Sequence, residues 1–180
     1  MVLSKSQRTL LIVLVLALLA VLAVSALHDD DGGTSDGSGQ ATAPTVVSAS
    51  QLSDFVAESG DTVYWIGPRR GARYELTETE PGRVYVRYLR DGAQAGDERP
   101  DFVTVATYPG DGVAELRQAA SDGQGALKPV AGGGIVLTDP AAPDSVHLAH
   151  PGEDVQIEVY SPIPDHALRL ASRGEVERVP

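Results

Sequence analysis

Residues 10–27 form an unbroken apolar run that contains no charged residue, no glycine and no proline. A helix of that length rises about 27 Å at about 1.5 Å per residue, which approaches the thickness of the hydrocarbon core of a bilayer. Each central Leu, Ile or Val favours membrane insertion by about 0.3 to 0.6 kcal/mol. The sequence therefore predicts a transmembrane signal anchor over residues 10–27, with the cell membrane as its partner.

The charges beside this run predict its orientation. Lys5 and Arg8 precede it, whereas three aspartates at positions 29–31 follow it. Because Lys and Arg are concentrated on the cytoplasmic side of membrane spans, we expect residues 1–9 in the cytoplasm and the C-terminal part outside. The alternative is a secretory signal cleaved near Ala26, although the run is longer than the usual apolar region of such a signal.

Charge and cysteine content restrict the partners and the fold. After Lys5 and Arg8, the chain carries 12 Lys and Arg against 25 Asp and Glu, a net charge of about −13. An acidic surface of this kind repels nucleic acid and anionic lipid headgroups, so neither is expected as the main partner. The chain has no cysteine. Disulfides and a lipoprotein anchor are thereby excluded, and the domain depends on its own apolar core.

Residues 28–44 are dense in Gly, Ser and Asp and contain no Leu, Ile, Val or aromatic residue. This composition predicts a disordered acidic tether, with a mean end-to-end distance of about 20 to 25 Å. The remaining residues, 45–180, are enough for one domain with a sizeable core. We therefore expect a single extracytoplasmic domain that is held at a distance from the membrane.

Local patterns within this domain predict its helices. Ser48 and Gln51 have the spacing of a capping box, and Gly60 provides a stop at the other end of the first helix. Asp111 is placed to cap a second helix. Helices are predicted over residues 49–59, 112–120 and 164–172.

Segments rich in β-branched and aromatic residues alternate with Gly and Pro turns through the domain. Alternation is clearest at Val155, Ile157 and Val159, which indicates a strand with one buried face. Strands are predicted over residues 62–66, 73–79, 83–89, 102–108, 134–138, 145–149 and 154–160, the second and third forming a hairpin. The expected class is α+β, one small domain with a mainly antiparallel sheet and two or three short helices.

The motifs of common enzyme and metal sites are missing from the sequence. It contains no zinc-type spacing, serine-nucleophile motif or phosphate-binding glycine loop, so no catalytic residue, metal or cofactor is predicted. His147 and His150 are three apart in extended sequence, which directs them to opposite faces and away from a shared metal. Acidic pairs are numerous in such a chain, so a glycosidase pair of carboxylates is left as an alternative.

Arginines are concentrated between residues 69 and 90 of this otherwise acidic domain. On the predicted strand over residues 83–89, Arg83, Tyr85 and Arg87 share one face. Arg binds carboxylate and phosphate groups and Tyr offers a flat platform, so these three residues are the predicted set for an anionic or sugar-like ligand. We favour the plainer interpretation, a solvated face neutralised across the hairpin by Glu75, Glu78 and Glu80.

The segments VYWIGPRRGARYELT and GRVYVRYL, with the basic start, apolar run and acidic tether, resemble single-pass membrane-anchored extracytoplasmic domain proteins of actinobacterial type. The resemblance extends over most of residues 44–162. That group has no assigned activity, so the resemblance implies a location and a shared domain but no catalytic residue. We expect a non-enzymatic binding or interaction module at the cell envelope, with an envelope protein or an anionic polymer as its partner. The alternative is a hydrolase of envelope glycans or esters.

Overall fold

The computed structural model describes residues 42–80 and 82–180. The predicted anchor over residues 10–27 and nearly all of the predicted tether lie outside these residues. Within them, no helix is both long enough and apolar enough to cross a bilayer. The described residues up to Ala95 and from Pro100 onward form one compact unit, and the segment Gly96–Arg99 is grouped apart from it.

An eight-stranded antiparallel sheet dominates the described part of the chain. Its strand order is β1-β3-β4-β5-β9-β8-β7-β6, and β2 pairs with β10 in a separate ribbon. The strands are β1 (Thr45–Val47), β2 (Tyr64–Trp65), β3 (Arg73–Glu80), β4 (Arg83–Leu89), β5 (Thr104–Pro109), β6 (Ala126–Pro129), β7 (Ile135–Thr138), β8 (Ser145–Ala149), β9 (Val155–Tyr160) and β10 (Glu177–Arg178). The helices are α1 (Ala49–Ser59), α2 (Gly112–Ser121) and α3 (His166–Ser172). The predicted mainly antiparallel sheet with short helices is confirmed.

Two antiparallel meanders build the sheet. Strands β3, β4 and β5 follow one another in the first, and β6 to β9 follow one another in the second. They join where β5 lies antiparallel to β9, with Val105 opposite Val159. The predicted hairpin is the β3–β4 pair, in which Leu76 lies opposite Val86. Because side chains alternate along each strand, this register brings most of the buried hydrophobic residues of both meanders to the same face.

Helix α1 has the limits that its capping residues predict. The Ser48 N–H donates to Gln51 Oε1 at 2.9 Å, and the Gln51 N–H donates to Ser48 Oγ at 3.3 Å, which completes a capping box. At the other end, Gly60 adopts the left-handed conformation with φ 74°. A residue with a side chain is strained there, so glycine is suited to end the helix.

Helices α2 and α3 also follow local signals, with one difference. Asp111 accepts a hydrogen bond from the Ala114 N–H at 3.0 Å and starts α2 as predicted. Helix α3 begins at His166 rather than at Pro164, because Asp165 lies in the left-handed region with φ 57°. A right-handed helix cannot include a residue in that conformation.

Several strands differ from the predicted set. The predicted strand over residues 62–66 is reduced to β2, because only two residues find partners in β10. The predicted strand over residues 102–108 begins at Thr104, because Phe102 packs in a small cluster with Leu89 and Ala93. Strands β1, β6 and β10 have no counterpart in the prediction. All three are short and β6 and β10 are largely exposed, so they lack the alternation that marks a half-buried strand.

The two faces of the sheet are covered differently. On one face, called the core face, the main core includes Leu52 of α1, Leu170 of α3 and residues of the β2–β10 ribbon. On the other, called the opposite face, Leu116 of α2 packs with Leu137 and Ala149. Further along the opposite face, strands β3, β4, β5 and β9 carry mostly polar and charged side chains. The opposite face therefore combines an apolar cluster under α2 with a polar surface on the central strands.

Candidate functional site

Strand β4 presents the predicted ligand-binding set on the opposite face of the sheet. Val84 and Val86 of this strand are fully buried in the main core. Alternation along the strand therefore directs Arg83, Tyr85 and Arg87 to the opposite face, as the sequence predicts. Their neighbours, however, divide these three residues between two different clusters, and their role in ligand binding stays a prediction.

Arg87 belongs to a buried ion pair. Its Nη1 lies 2.6 Å from Glu75 Oε1, and the two side chains are only 14% and 2% exposed. The guanidinium also lies over the Phe102 ring, 4.7 Å from its centroid, where the face of the ring attracts a cation. Glu75 thus neutralises Arg87 across the hairpin, but the pair lies inside the fold and not on a solvated face.

Arg83 and Tyr85 meet at Tyr108 of β5. The Arg83 guanidinium lies 5.5 Å from the centroid of the Tyr108 ring, and the Tyr85 ring meets the same ring edge to face at 6.0 Å. Tyr108 donates a hydrogen bond of 2.8 Å to Glu158 Oε2, and Ser145 donates one of 2.9 Å to Glu158 Oε1. One polar cluster therefore links the neighbouring strands β4, β5, β9 and β8.

Burial controls the ionisation of this polar cluster. Desolvation is the largest cause that raises the pKa of Tyr108, and the negative charge of Glu158 raises it further. Desolvation likewise raises the pKa of Tyr85. Both phenols are therefore protonated at physiological pH, so Tyr108 remains a donor to the Glu158 carboxylate. Since both oxygens of that carboxylate accept hydrogen bonds from the protein, the cluster stabilises the sheet.

The two buried carboxylates of the opposite face lie on strands that are not adjacent, and each is engaged by its own neighbouring side chains. Glu75 lies on β3 and Glu158 on β9, so three inter-strand steps of about 4.8 Å place their backbones about 14 Å apart. The carboxyl groups of glycosidases lie about 5 to 9.5 Å apart. Glu75 is held by Arg87 and Glu158 by Tyr108 and Ser145, so the geometry gives this pair no support as the carboxylates of the hydrolase alternative.

A groove of about 420 Å³ opens between α3 and the segment that follows β2. Its rim carries ionisable side chains, namely Arg69, His166, Arg169, Arg173 and Glu175. Its floor consists of buried or half-buried apolar and aromatic side chains, namely Ile66, Ala72, Tyr88, Val103 and Leu170. We call it the cationic groove, because its rim holds three guanidinium groups and one carboxylate.

Local contacts position the charged groups of the cationic groove. Arg69 Nη2 lies 3.1 Å from Glu175 Oε2, and both side chains remain partly exposed. The backbone N–H of Arg69 donates to the hydroxyl of the buried Tyr74 at 2.9 Å, which ties the rim to the core. Arg169 and Arg173 are exposed. Even with Arg69 set against Glu175, the rim therefore retains two positive charges.

His166 connects the cationic groove to a buried serine. Its Nδ1 lies 2.9 Å from Ser161 Oγ, and Ser161 is fully buried. Burial lowers the pKa of His166 and the charge of Arg169 lowers it further, so the ring is neutral at pH 7. Because the serine hydroxyl is out of reach of a substrate, this pair holds the imidazole in place and offers no nucleophile.

The cationic groove combines residues from distant parts of the chain. Arg69 belongs to the arginine-rich region of the sequence, whereas Arg169 and Arg173 occur near the C-terminus. Arg169 and Arg173 are four positions apart, a spacing that places both side chains on the same face of a helix. This spacing does not indicate that the two arginines lie near Arg69, because only the packing of α3 brings the two regions of the chain together.

The two histidines near β8 lie apart, as the sequence predicts. His147 Nδ1 lies 3.1 Å from Gln156 Nε2 on the neighbouring strand β9. The His150 ring instead stacks on Tyr64 of the ribbon, with the ring centroids 5.9 Å apart. Over residues 42–80 and 82–180, no group of three His, Asp or Glu side chains is arranged to hold a metal ion.

Two polar regions therefore stand out, and they differ in how their charges are balanced. On the opposite face, the carboxylates of Glu75 and Glu158 are both engaged by neighbouring side chains. The cationic groove instead places exposed guanidinium groups above an apolar floor.

Comparisons with known proteins found no match among family models, curated proteins or solved structures. The groove is thus identified as the candidate site by its geometry and charge.

Proposed function

We propose that this protein is a membrane-anchored extracytoplasmic binding module of the cell envelope, without catalytic activity. The apolar run over residues 10–27 and the tether over residues 28–44 support this location, as does the resemblance to anchored actinobacterial proteins. The cationic groove supports the binding role and defines the chemistry of the partner. That partner is an anionic component of the envelope, since the rim of the groove attracts negative charge.

The observation that carries this proposal is the contrast between the charge of the groove and that of the chain. The chain has a net charge of −11, yet the charged groups on the rim of the groove are three arginines and one glutamate. An acidic protein repels anions from most of its surface, so a local excess of arginine selects where an anion binds. Arginine stays charged at physiological pH and matches carboxylate or phosphate oxygens with two parallel hydrogen bonds.

Retention on isolated cell-wall material tests this proposal. The full chain, purified in detergent, is compared with a double variant that carries Arg169→Glu and Arg173→Glu. Retention of the double variant should fall by about tenfold or more, because two attractive charges become repulsive. Arg117→Glu makes the same kind of charge change at an exposed position of α2 and should leave retention unchanged.

A third variant tests whether the cell-wall material binds to the groove or to the predicted set on the opposite face. Arg83→Glu changes that set without adding a second carboxylate beside Glu75, as a change at Arg87 would do. If Arg83→Glu abolishes retention and the double variant does not, the binding surface is the opposite face and the proposal is wrong. Thermal unfolding of each variant distinguishes a lost surface charge from a misfolded domain.

A further inference from the structure

We propose that the cationic groove binds a soluble phosphate monoester that is carried on an apolar body. This inference rests on the proposed function, because it uses the same groove and the same arginines, and it adds a small soluble ligand that competes with the envelope component for them. Two features of the groove define the chemical class of this ligand. The first is the charge of the rim, and the second is the apolar surface of the floor.

The charge of the rim matches a dianion. Arg69, Arg169 and Arg173 supply three positive charges and Glu175 supplies one negative charge, so the rim carries +2 while His166 is neutral. A phosphate monoester carries about −1.5 to −2 near pH 7, whereas a carboxylate carries a single charge. Its three terminal oxygens also accept hydrogen bonds from more than one guanidinium. A phosphate monoester therefore neutralises the rim more completely than a carboxylate does.

The floor of the groove defines the other part of the ligand. Ile66, Tyr88 and Leu170 are buried beneath it. Tyr88 accepts a hydrogen bond from the Ile66 N–H at 2.8 Å and donates one to the Gly67 carbonyl at 3.1 Å, so its polar atom is already engaged. An alkyl or aryl group placed on this floor leaves water without breaking a hydrogen bond. The volume of about 420 Å³ suits a small molecule.

The source of the phosphate is a soluble compound and not the surface of a bilayer. The chain has a net charge of −11, so the domain is repelled from membranes that contain anionic lipids. A small soluble anion experiences less of this repulsion, because it approaches one local positive region and not the whole surface of the domain. The groove also has the size of a single small ligand.

His166 makes this binding proton-linked. In the free groove its pKa is lowered by burial and by Arg169 and Arg69, while Glu175 acts in the opposite direction. A phosphate held among these groups and Arg173 adds negative charge, which raises the pKa of His166 again. Binding therefore takes up a proton. The affinity should increase as the pH falls from 8 to about 6.5, above the second ionisation of the ligand near pH 6.

Calorimetric titration of the full chain in phosphatidylcholine nanodiscs tests the ligand class with four matched probes. Hexyl phosphate should bind most tightly, and hexylammonium should not bind. Inorganic phosphate should bind about tenfold more weakly or worse, because it lacks the apolar body. Equal or tighter binding of hexanoate would show that a carboxylate is preferred and overturn the assignment to phosphate. If inorganic phosphate binds as tightly as hexyl phosphate, the inference that the ligand carries an apolar body is wrong.

Variants assign the binding to the groove and to His166. Arg173→Ala should weaken the binding of hexyl phosphate by about tenfold, the effect of losing one charge-assisted hydrogen bond. Arg117→Ala, at an exposed position of α2, should leave it unchanged. His166→Asn should remove the rise in affinity between pH 8 and 6.5. A rise that persists in His166→Asn would show that another group takes up the proton.

The outcomes also separate this inference from the proposed function. If hexyl phosphate does not bind but retention on cell-wall material still depends on Arg169 and Arg173, the ligand class is wrong and the binding role stands. If neither effect is observed, both proposals are wrong. If phosphatidic acid added to the nanodiscs displaces hexyl phosphate, the occupant is a lipid headgroup and the assignment to a soluble ligand is overturned.

Discussion

At the scale of single residues, the arginines of this domain differ in what surrounds them. Arg87 is paired with Glu75 inside the fold, whereas Arg169 and Arg173 are exposed beside an apolar floor. The sequence identifies all of them as cations, but it does not rank them for binding. Their partners depend on strand register for Arg87 and on the packing of α3 for the other two.

Glu158 accepts hydrogen bonds from two neighbouring strands, so its removal has a predictable cost. In Glu158→Ala, the hydroxyls of Tyr108 and Ser145 lose their acceptor. Each buried polar group left without a partner costs about 1 to 3 kcal/mol. The free energy of unfolding, measured by urea denaturation, should therefore fall by about 2 to 6 kcal/mol.

A matched control separates this effect from the general removal of acidic charge. Asp91→Ala removes an exposed carboxylate in the loop after β4, and the free energy of unfolding should change by less than about 0.5 kcal/mol. If Glu158→Ala is no more destabilising than Asp91→Ala, the hydrogen bonds to Glu158 do not contribute to stability.

At the scale of elements, local sequence predicts the helices better than the strands. The limits of α1 follow from Ser48, Gln51 and Gly60, which act on backbone groups within one helical turn. Strand β10 instead exists because Glu177–Arg178 pairs with Tyr64–Trp65, more than one hundred positions earlier in the chain. A two-residue strand of this kind has no pattern of its own, so only its partner defines it.

The first residue of α2 lies so close to β9 that a side chain does not fit. A Cβ atom at Gly112 would lie 2.9 Å from Gln156 Cα and would also clash with the Val155 carbonyl oxygen. Alanine favours a helix over glycine by about 1 kcal/mol. Gly112→Ala should nevertheless lower the free energy of unfolding by about 1 to 3 kcal/mol, because the helix must move away from the sheet.

The free energy of unfolding of Gly112→Ala, measured by chemical denaturation, tests how closely α2 packs on the sheet. Ala114→Gly, at an exposed position of the same helix, should cost about 1 kcal/mol through helix propensity alone. One substitution replaces glycine with alanine and the other replaces alanine with glycine, yet both should destabilise the domain. An increase in stability in Gly112→Ala would contradict the close approach of α2 to β9.

At the scale of the whole molecule, the proposed location makes a direct prediction about mass. If residues 10–27 remain as a transmembrane anchor, protein extracted from membranes has the intact mass of the full chain. Mass spectrometry of the membrane fraction measures this. A mass that lacks residues 1–26 would show instead that the apolar run is a cleaved signal, and the domain would then be recovered from the soluble exported fraction.

The class of the domain, the limits of α1 and the shared face of Arg83, Tyr85 and Arg87 follow from sequence, because caps, turns and strand alternation act between near neighbours. The order of the strands and the cationic groove depend on tertiary structure, because they join residues far apart in the chain. Arg69 and Arg169 are cations in any conformation. They surround one apolar floor only because burial of Leu170 and Ile66 packs α3 against the segment that follows β2.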